Sequence, residues 1–149
     1  MENKIMPKIR IASVQAEQQF LMLEECVEKC VELIRRAGEN HCDLIAFPES
    51  YVPGYPDWLE FYVLGEDGRQ FDKELYLNSI SLDSKYMKKI RDACRENAIN
   101  CVLGINETEP GVVGTMHNCH VYITREGEIA GKHQKYVPTV GERQSQAPG

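Results

Sequence analysis

The sequence has no long apolar run and no excess of positive charge. The N-terminal stretch MENKIMPKIR contains no apolar segment of the kind found in signal peptides, and no later run approaches the length of a membrane-spanning helix. Lys and Arg total 17 against 23 Asp and Glu, which gives a net charge of −6. Because nucleic acids and anionic membranes require a basic footprint, neither is expected as a main partner. We expect a cytoplasmic protein.

Repeats, low-complexity segments and linkers are also missing from the sequence. The 149 residues, 42% hydrophobic and 27% charged, fit one globular unit or part of a larger one. The C-terminal GERQSQAPG is polar and contains no element on which a domain would finish. We therefore expect residues 1–149 to form an incomplete domain.

Cysteine is present, but nothing marks the chain as secreted, so a disulfide framework is not expected. Most of the thiols fall within apolar patterns, where cysteine behaves as a small buried hydrophobe. We expect structural thiols at all six positions, namely Cys26, Cys30, Cys42, Cys94, Cys101 and Cys119.

Hydrophobic periodicity predicts an α/β fold. Residues 8–16 alternate as in a strand, residues 18–39 have the three- and four-residue spacing of a helix, and residues 42–47 form a short apolar strand. A parallel crossover is the simplest connection between these two strands. The later pattern predicts a short helix at 57–64 capped by Asp57, a loop at 65–70, a helix at 83–97, and strands at 101–105, 117–123 and 128–135.

Polar residues follow the predicted strands at their carboxyl ends, where open α/β sheets form their ligand crevices. Gln15 ends the first strand, Glu49 follows the second, and Asn106–Glu107 follow the third. Glu49 stands apart because it lies in FPESYVPGYPDW, where the prolines on either side restrict the backbone. Polar loops are common in any protein, so position alone leaves a structural role open.

The second candidate cluster is GKHQKYVPTVGER, residues 131–143. Lys135 leaves a predicted strand before a Pro-Thr turn, and Glu142 follows seven residues later. A lysine kept charged beside a carboxylate suits the stabilisation of an oxyanion. An ordinary surface also carries such residues, so charge alone does not decide between the two interpretations.

A metal site is disfavoured by the strand pattern. His117 and Cys119 alternate with Asn118 and His120, so His117 and Cys119 point to one face of the strand and His120 points to the other. The three potential ligands do not converge as zinc requires. We predict no metal.

Three stretches together resemble the nitrilase superfamily, and specifically its nitrilase branch. They are LIAFPESYVPGYPDWL, MHNCHVYITREGEIAGK and GKHQKYVPTVGER, and they extend over most of the chain in the order found in that family. The resemblance implies a four-layer α-β-β-α sandwich, of which this chain supplies the N-terminal part, and a Glu-Lys-Cys triad without metal or cofactor. It implies that Glu49 is the general base, that Lys135 stabilises the tetrahedral intermediate and that Glu142 is a supporting glutamate. A homo-oligomer is also implied.

The sequence departs from the family at the nucleophile. In the family the reactive cysteine follows the Lys and PTxxER motifs, whereas this chain ends at Gly149. None of the six cysteines has a suitable position. Two interpretations remain open: the chain is the N-terminal portion of a longer enzyme, or it is an inactive chain that acts as a binding or assembly module. In either case we expect apolar surface where the second sheet of the sandwich would pack.

The reaction implied by the resemblance converts a nitrile to the carboxylic acid and ammonia through a cysteine thioimidate and a thioester. An amide or an N-carbamoyl compound is the alternative substrate, because the same triad serves all three. PGYP and PTVGER favour a nitrile, by resemblance alone. Tyr55 and Trp58 follow Glu49 closely, so they are candidates to line the substrate pocket, although aromatic residues in such loops are often packed into the fold.

Overall fold

The structure, a computed structural model, describes residues 8–60 and 66–149. One five-stranded sheet has the order β1-β2-β3-β4-β5. Its first three strands are parallel, and β3, β4 and β5 pair antiparallel. The strands are β1 Ile11–Ser13, β2 Leu44–Ala46, β3 Asn100–Thr108, β4 Met116–Ile123 and β5 Ile129–Gln134. The helices are α1 Leu23–Glu39, α2 Glu66–Leu77 and α3 Lys85–Glu96, with 3₁₀ turns at Asp57–Glu60 and Val140–Gln144. No helix in these residues is long and apolar enough to cross a membrane.

The main core lies between the sheet and the helices α1 and α3. Each helix turns one apolar stripe inward, which includes Cys30 and Ile34 on α1 and Ile90 on α3. Helix α3 begins at a favourable cap, because the Ser84 hydroxyl accepts a hydrogen bond from the Met87 amide at 3.2 Å. All six cysteines are free; five are buried and Cys42 is partly buried, which confirms their predicted place in the apolar pattern.

The opposite face of the sheet carries apolar side chains that neither α1 nor α3 covers. Ile11 pairs with Leu44 and Val102 pairs with Tyr122, so these four side chains share the face that alternates with the helix-covered one. Ile11 is 60% exposed and Tyr122 is 39% exposed. Apolar side chains are therefore exposed on this face, as the sequence predicts for part of the surface.

The predicted loop at residues 65–70 is wrong, because the helix α2 begins at Glu66. Gly and Asp in GEDGRQ favour a turn locally, but tertiary packing overrides this preference. Leu75 of α2 is fully buried in a second apolar cluster with Trp58 and Met116. Of the helix predicted at 57–64, the first four residues form a 3₁₀ turn and residues 61–64 lie outside the described residues.

Several element boundaries also differ from the predicted ones. Strand β1 and helix α1 are shorter than predicted, whereas β3 extends to Thr108 because β4 pairs along its whole length. Asn106–Glu107 therefore lie inside a strand and do not follow it. The C-terminal segment, expected to lack any element, forms the second 3₁₀ turn and hydrogen-bonds to the sheet through the Ala147 amide and the Met116 carbonyl, 2.8 Å apart.

Candidate active site

Glu49 is placed by a loop that stays on the sheet after β2 ends. The Val52 amide donates to the Gly104 carbonyl at 3.1 Å, and the Val52 carbonyl accepts from the Asn106 amide at 2.8 Å. The loop therefore runs directly over β3. A β-carbon at position 104 would overlap the Pro48 carbonyl oxygen and lie 2.9 Å from the Glu49 Cα. Glycine at position 104 is what allows this approach.

The side chain of Asn106 also holds the loop that carries Glu49. Its side-chain amide donates to the Gly54 carbonyl at 2.7 Å, and its side-chain oxygen accepts from Gln146 Nε2 at 2.7 Å. Asn106 is fully buried and Gln146 is 2% exposed. Asn106, predicted from position to belong to the ligand crevice, is thus a buried brace that links the Glu49 loop to the C-terminal segment.

Lys135 joins the two glutamates predicted from the motifs. Its Nζ lies 2.8 Å from Glu49 Oε1 and 2.9 Å from Glu142 Oε1. Glu142 is held in turn by Thr139, whose amide and hydroxyl both donate to Glu142 Oε2. This capping box fixes the second glutamate at the start of its 3₁₀ turn, where a carboxylate is favoured. The structure therefore brings Glu49, Lys135 and Glu142 into one hydrogen-bonded group.

Hydrogen bonding within this group shifts the pKa values of Lys135 and Glu142. Burial alone would lower the pKa of Lys135, but its hydrogen bonds to Glu49 and Glu142 outweigh burial and raise the pKa above its ordinary value. Burial alone would raise the pKa of Glu142, but hydrogen bonds from Thr139 and Lys135 outweigh it and lower the pKa. Lys135 is thus held as a cation and Glu142 as an anion at neutral pH.

Asn118 is a fourth member of the group, and it is not among the site residues predicted from the sequence. Its Nδ2 donates to Glu49 Oε1 at 2.5 Å, and it is 4% exposed. In the sequence, Asn118 is one of three polar residues in the predicted strand at 117–123, together with His117 and His120, and no pattern distinguishes it from them. Asn118 lies opposite Asn106 in the register of β3 and β4, on the face that the Glu49 loop crosses.

Two open depressions border the group. One, of about 250 Å³, is lined by Glu49, Asn118, His120, His133, Lys135 and Tyr136. The other, of about 440 Å³, is lined in part by Tyr55 and Glu142. Burial, followed by the effect of the neighbouring Glu142 carboxylate, raises the pKa of Tyr55, so its hydroxyl is kept protonated beside that carboxylate.

Trp58, the other aromatic candidate, is packed into the fold. It is 6% exposed, and its ring lies against Phe20 and Phe71 at centroid distances of 5.9 and 5.5 Å. Its indole nitrogen donates to Asp72 at 3.1 Å. It is not among the residues that line either depression. The structure therefore brings Tyr55 to Glu142 and leaves Trp58 in a separate cluster.

No cysteine lines either depression. Cys119 follows Asn118 in the chain but points to the other face of the sheet, where burial and the nearby Glu107 raise the pKa of its thiol to about 12. Such a thiol is a poor nucleophile because it is protonated at neutral pH. In this structure none of the six cysteines therefore lies in the lining of the depressions beside Glu49 and Glu142.

The strand register agrees with the predicted divergence of the histidines. His117 pairs with Glu107 on the face that α1 and α3 cover, whereas His120 pairs with Gly104 and His133 on the opposite face. Among residues 8–60 and 66–149, no group of three His, Cys, Asp or Glu side chains is arranged to hold a metal ion.

Comparison with known proteins gives consistent results. The sequence profile of the carbon-nitrogen hydrolase family matches residues 10–147. Similar proteins include a nitrilase from Penicillium rubens at 34% identity, a cyanide hydratase from Botryotinia fuckeliana at 38% and an aliphatic nitrilase from Rhodococcus rhodochrous at 32%. Each match covers 90% or 91% of this chain but only 36–40% of the relative. The chain thus spans well under half of the length of these relatives.

Solved structures give the same fold. An amidase from Nesterenkonia sp. superposes with a TM-score of 0.67 at 17% identity, over 95% of this chain and 48% of that chain. A mutant of this amidase in complex with butyramide superposes with a TM-score of 0.67 at 19% identity, over the same shares. The mixed α/β fold is therefore that of amidases of the nitrilase superfamily, and the chain corresponds to about half of it, which confirms the predicted fold class.

Proposed function

Because the chain belongs to the carbon-nitrogen hydrolase family, we propose that it supplies the Glu and Lys members of a cysteine-dependent nitrilase site. The observation that carries this proposal is the position of Lys135 Nζ, 2.8 Å from Glu49 Oε1 and 2.9 Å from Glu142 Oε1. Glu49 is the group left to act, since its side chain is 46% exposed and borders the open depression, whereas Glu142 is 2% exposed. Residues 1–149 then form an incomplete domain, and the nucleophilic thiol comes from beyond residue 149.

The reaction proceeds through a covalent intermediate. Glu49 takes the proton of the thiol, the thiolate adds to the nitrile carbon, and the protonated Glu49 passes that proton to the nitrile nitrogen, giving a thioimidate. A first water adds and ammonia leaves, which produces a thioester. A second water, deprotonated by Glu49, hydrolyses the thioester to the carboxylic acid and returns the thiol. Overall, one nitrile and two waters give one carboxylic acid and one ammonia.

Lys135 stabilises the negative charge that develops in the tetrahedral intermediates. Its raised pKa keeps the ammonium charged throughout the neutral range. Glu142 is the supporting glutamate, because it is nearly buried and already bound by Thr139, so it orients the lysine and does not exchange protons with the substrate. No cofactor is required for any of these steps.

The similar proteins are a better guide to the substrate class than the fold is. The similar proteins at 32–38% identity are named for nitriles or cyanide, which favours a nitrile substrate. An amide or N-carbamoyl compound is the second candidate, favoured by the likeness in fold to an amidase. Tyr55 is proposed as a substrate contact because it borders the depression beside Glu142. Trp58 does not line this depression. It acts on it only indirectly, by packing against Leu59, which is one of the lining residues. A homo-oligomer of the whole protein also belongs to this proposal.

The test uses the complete polypeptide encoded by the gene, purified and assayed for ammonia release. The substrate panel contains an aliphatic nitrile, an aromatic nitrile, cyanide, the matching amides and an N-carbamoyl amino acid. We expect turnover of at least one nitrile, its loss in Glu49→Gln, and normal turnover in Glu126→Gln, which changes an exposed glutamate of the β4–β5 turn. Activity only on amides would select the second candidate.

The isolated chain of residues 1–149 provides the complementary test. We expect no ammonia release from it, because none of its thiols borders the depression. Turnover by this chain at the rate of the complete polypeptide would overturn the proposed nucleophile. An inactive complete polypeptide would instead favour a binding or assembly role.

A further inference from the structure

Asn118 contacts both residues of the central ion pair. Its backbone carbonyl accepts the Lys135 amide at 2.7 Å, and its side-chain amide donates to Glu49 Oε1 at 2.5 Å. One residue of β4 therefore fixes the main chain that carries the lysine and the side chain of the glutamate. Glu49 and Lys135 come from distant parts of the sequence. Because both are hydrogen-bonded to Asn118, their relative position is fixed.

The two oxygens of Glu49 are in different surroundings. Oε1 accepts from both Lys135 Nζ and Asn118 Nδ2, at 2.8 and 2.5 Å. No donor reaches Oε2 from the part of the chain that the structure describes. A carboxylate oxygen that already accepts two hydrogen bonds has little remaining capacity for a proton, whereas its partner retains its lone pairs.

We propose that Asn118 is a positioning residue which, together with Lys135, occupies Oε1 of Glu49 so that Oε2 is the oxygen that takes the proton. This inference rests on the proposed function. In the first step the thiol S–H bond breaks, the O–H bond forms at Oε2, and the negative charge passes from the carboxylate to sulfur. The amide of Asn118 holds the carboxylate in one rotamer throughout, so that Oε2 keeps facing the depression.

A purely structural role explains Asn118 less well. Asn106, its partner in the strand register, uses its amide to brace a buried backbone carbonyl, as a structural asparagine does. Asn118 instead donates to a carboxylate whose side chain is 46% exposed, which water would solvate without help. The hydrogen bond therefore orients the carboxylate as well as pairing the buried amide of Asn118.

The experiment compares Asn118→Leu and Asn118→Asp in the complete polypeptide, with steady-state kinetics on its best substrate. Both changes preserve the approximate shape of the side chain and remove the amide donor. We expect kcat to fall by about 10²-fold, the usual cost of a misplaced catalytic group, with KM changed by less than about threefold. Asn100→Ala is the matched control, because it removes an asparagine that bonds only to the backbone at Asp43 and Arg125. It should leave kcat unchanged.

Crystal structures of the variants give a second readout that does not depend on rate. We expect the Glu49 carboxylate to leave Lys135 or to rotate in Asn118→Asp, and we expect substrate or thiol to lie nearer Oε2 than Oε1 in the parent protein. If Asn118→Leu fails to fold, the isosteric Asn118→Asp carries the test. Normal kcat in a folded Asn118 variant, while Glu49→Gln is inactive, would overturn this inference and leave the proposed function intact. An active Glu49→Gln would overturn both.

Discussion

Gly104 and Pro48 approach so closely that no side chain fits between them. A β-carbon at position 104 would overlap the Pro48 carbonyl oxygen, and the neighbouring Glu49 Cα would lie 2.9 Å away. We predict that Gly104→Ala lowers the free energy of unfolding by about 1–3 kcal/mol, as overpacking does. The change must also displace Glu49, so kcat of the complete polypeptide should fall. Urea unfolding and steady-state kinetics measure the two effects.

Gly131→Ala is the matched control for this change. It also lies in a strand of the same sheet, but its added β-carbon would meet only the Tyr122 ring at 3.9 Å, an ordinary contact distance. We expect little loss of stability or activity. Equal effects of the two substitutions would show that the Glu49 loop does not depend on the approach at Gly104.

Glu142 should make stability depend on pH in the acid range. Its pKa is lowered in the folded protein because hydrogen bonds from Thr139 and Lys135 outweigh burial, so its ionised form stabilises the fold. This contribution is present above the unfolded value, 4.5, and is lost as the pH falls through the lower folded value. In Glu142→Gln the free energy of unfolding should therefore fall less steeply below about pH 4.5. Denaturant titrations between pH 3 and 7 check this, and parallel curves for the two proteins would contradict it.

The motifs were sufficient to predict which charged residues come together. FPESYVPGYP and KYVPTVGER predict Glu49, Lys135 and Glu142 as site residues, and the structure joins them by hydrogen bonds. The parallel pairing of β1 with β2 followed from the strand, helix and strand pattern. Their catalytic roles remain predictions, because geometry alone does not test a role.

Long-range packing accounts for what the sequence did not reveal. The sequence predicts a loop over the first part of helix α2, because its glycine and aspartates favour turns, whereas the contacts that stabilise the helix come from Leu75 and Trp58. Asn118 was overlooked because its importance depends on Glu49, which is 69 positions away in the chain. Strand position predicts Asn106 in the ligand crevice, but pairing with β4 extends the strand β3 past it.

The open face of the sheet predicts self-association of the isolated chain. Ile11 and Tyr122 are 60% and 39% exposed on this face, next to the partly buried Leu44 and Val102. We expect residues 1–149 alone to bind the dye ANS and to elute as more than a monomer, because contiguous apolar surface associates. Ile11→Ser with Tyr122→Ser should weaken both effects.

Val113→Ser is the control for the open face, since Val113 is 92% exposed but lies in the β3–β4 loop. It should leave the elution volume and dye fluorescence unchanged. A monodisperse monomer without ANS fluorescence would mean that this face does not cause self-association in solution. Light scattering coupled to size-exclusion chromatography measures the mass directly.

Tyr55 and Trp58 should respond differently to substitution, although both follow Glu49 in the sequence. Tyr55 borders the depression beside Glu142, and loss of its hydroxyl removes a polar group from the wall of that depression. We expect Tyr55→Phe to lower kcat/KM about tenfold, the equivalent of about 1.4 kcal/mol, with little change in stability. Trp58 lies in the second apolar cluster, so Trp58→Ala should lower the free energy of unfolding by about 3–5 kcal/mol.

The conservative change Trp58→Phe separates packing from substrate contact. It keeps an aromatic ring between Phe20 and Phe71 and loses only the hydrogen bond to Asp72. If Trp58 acts through packing, this variant keeps the order of preference across the nitrile panel and loses only part of its stability. A changed order of preference in a stable Trp58→Phe protein would instead mean that Trp58 contacts substrate in the complete enzyme, which would require the cluster around it to open.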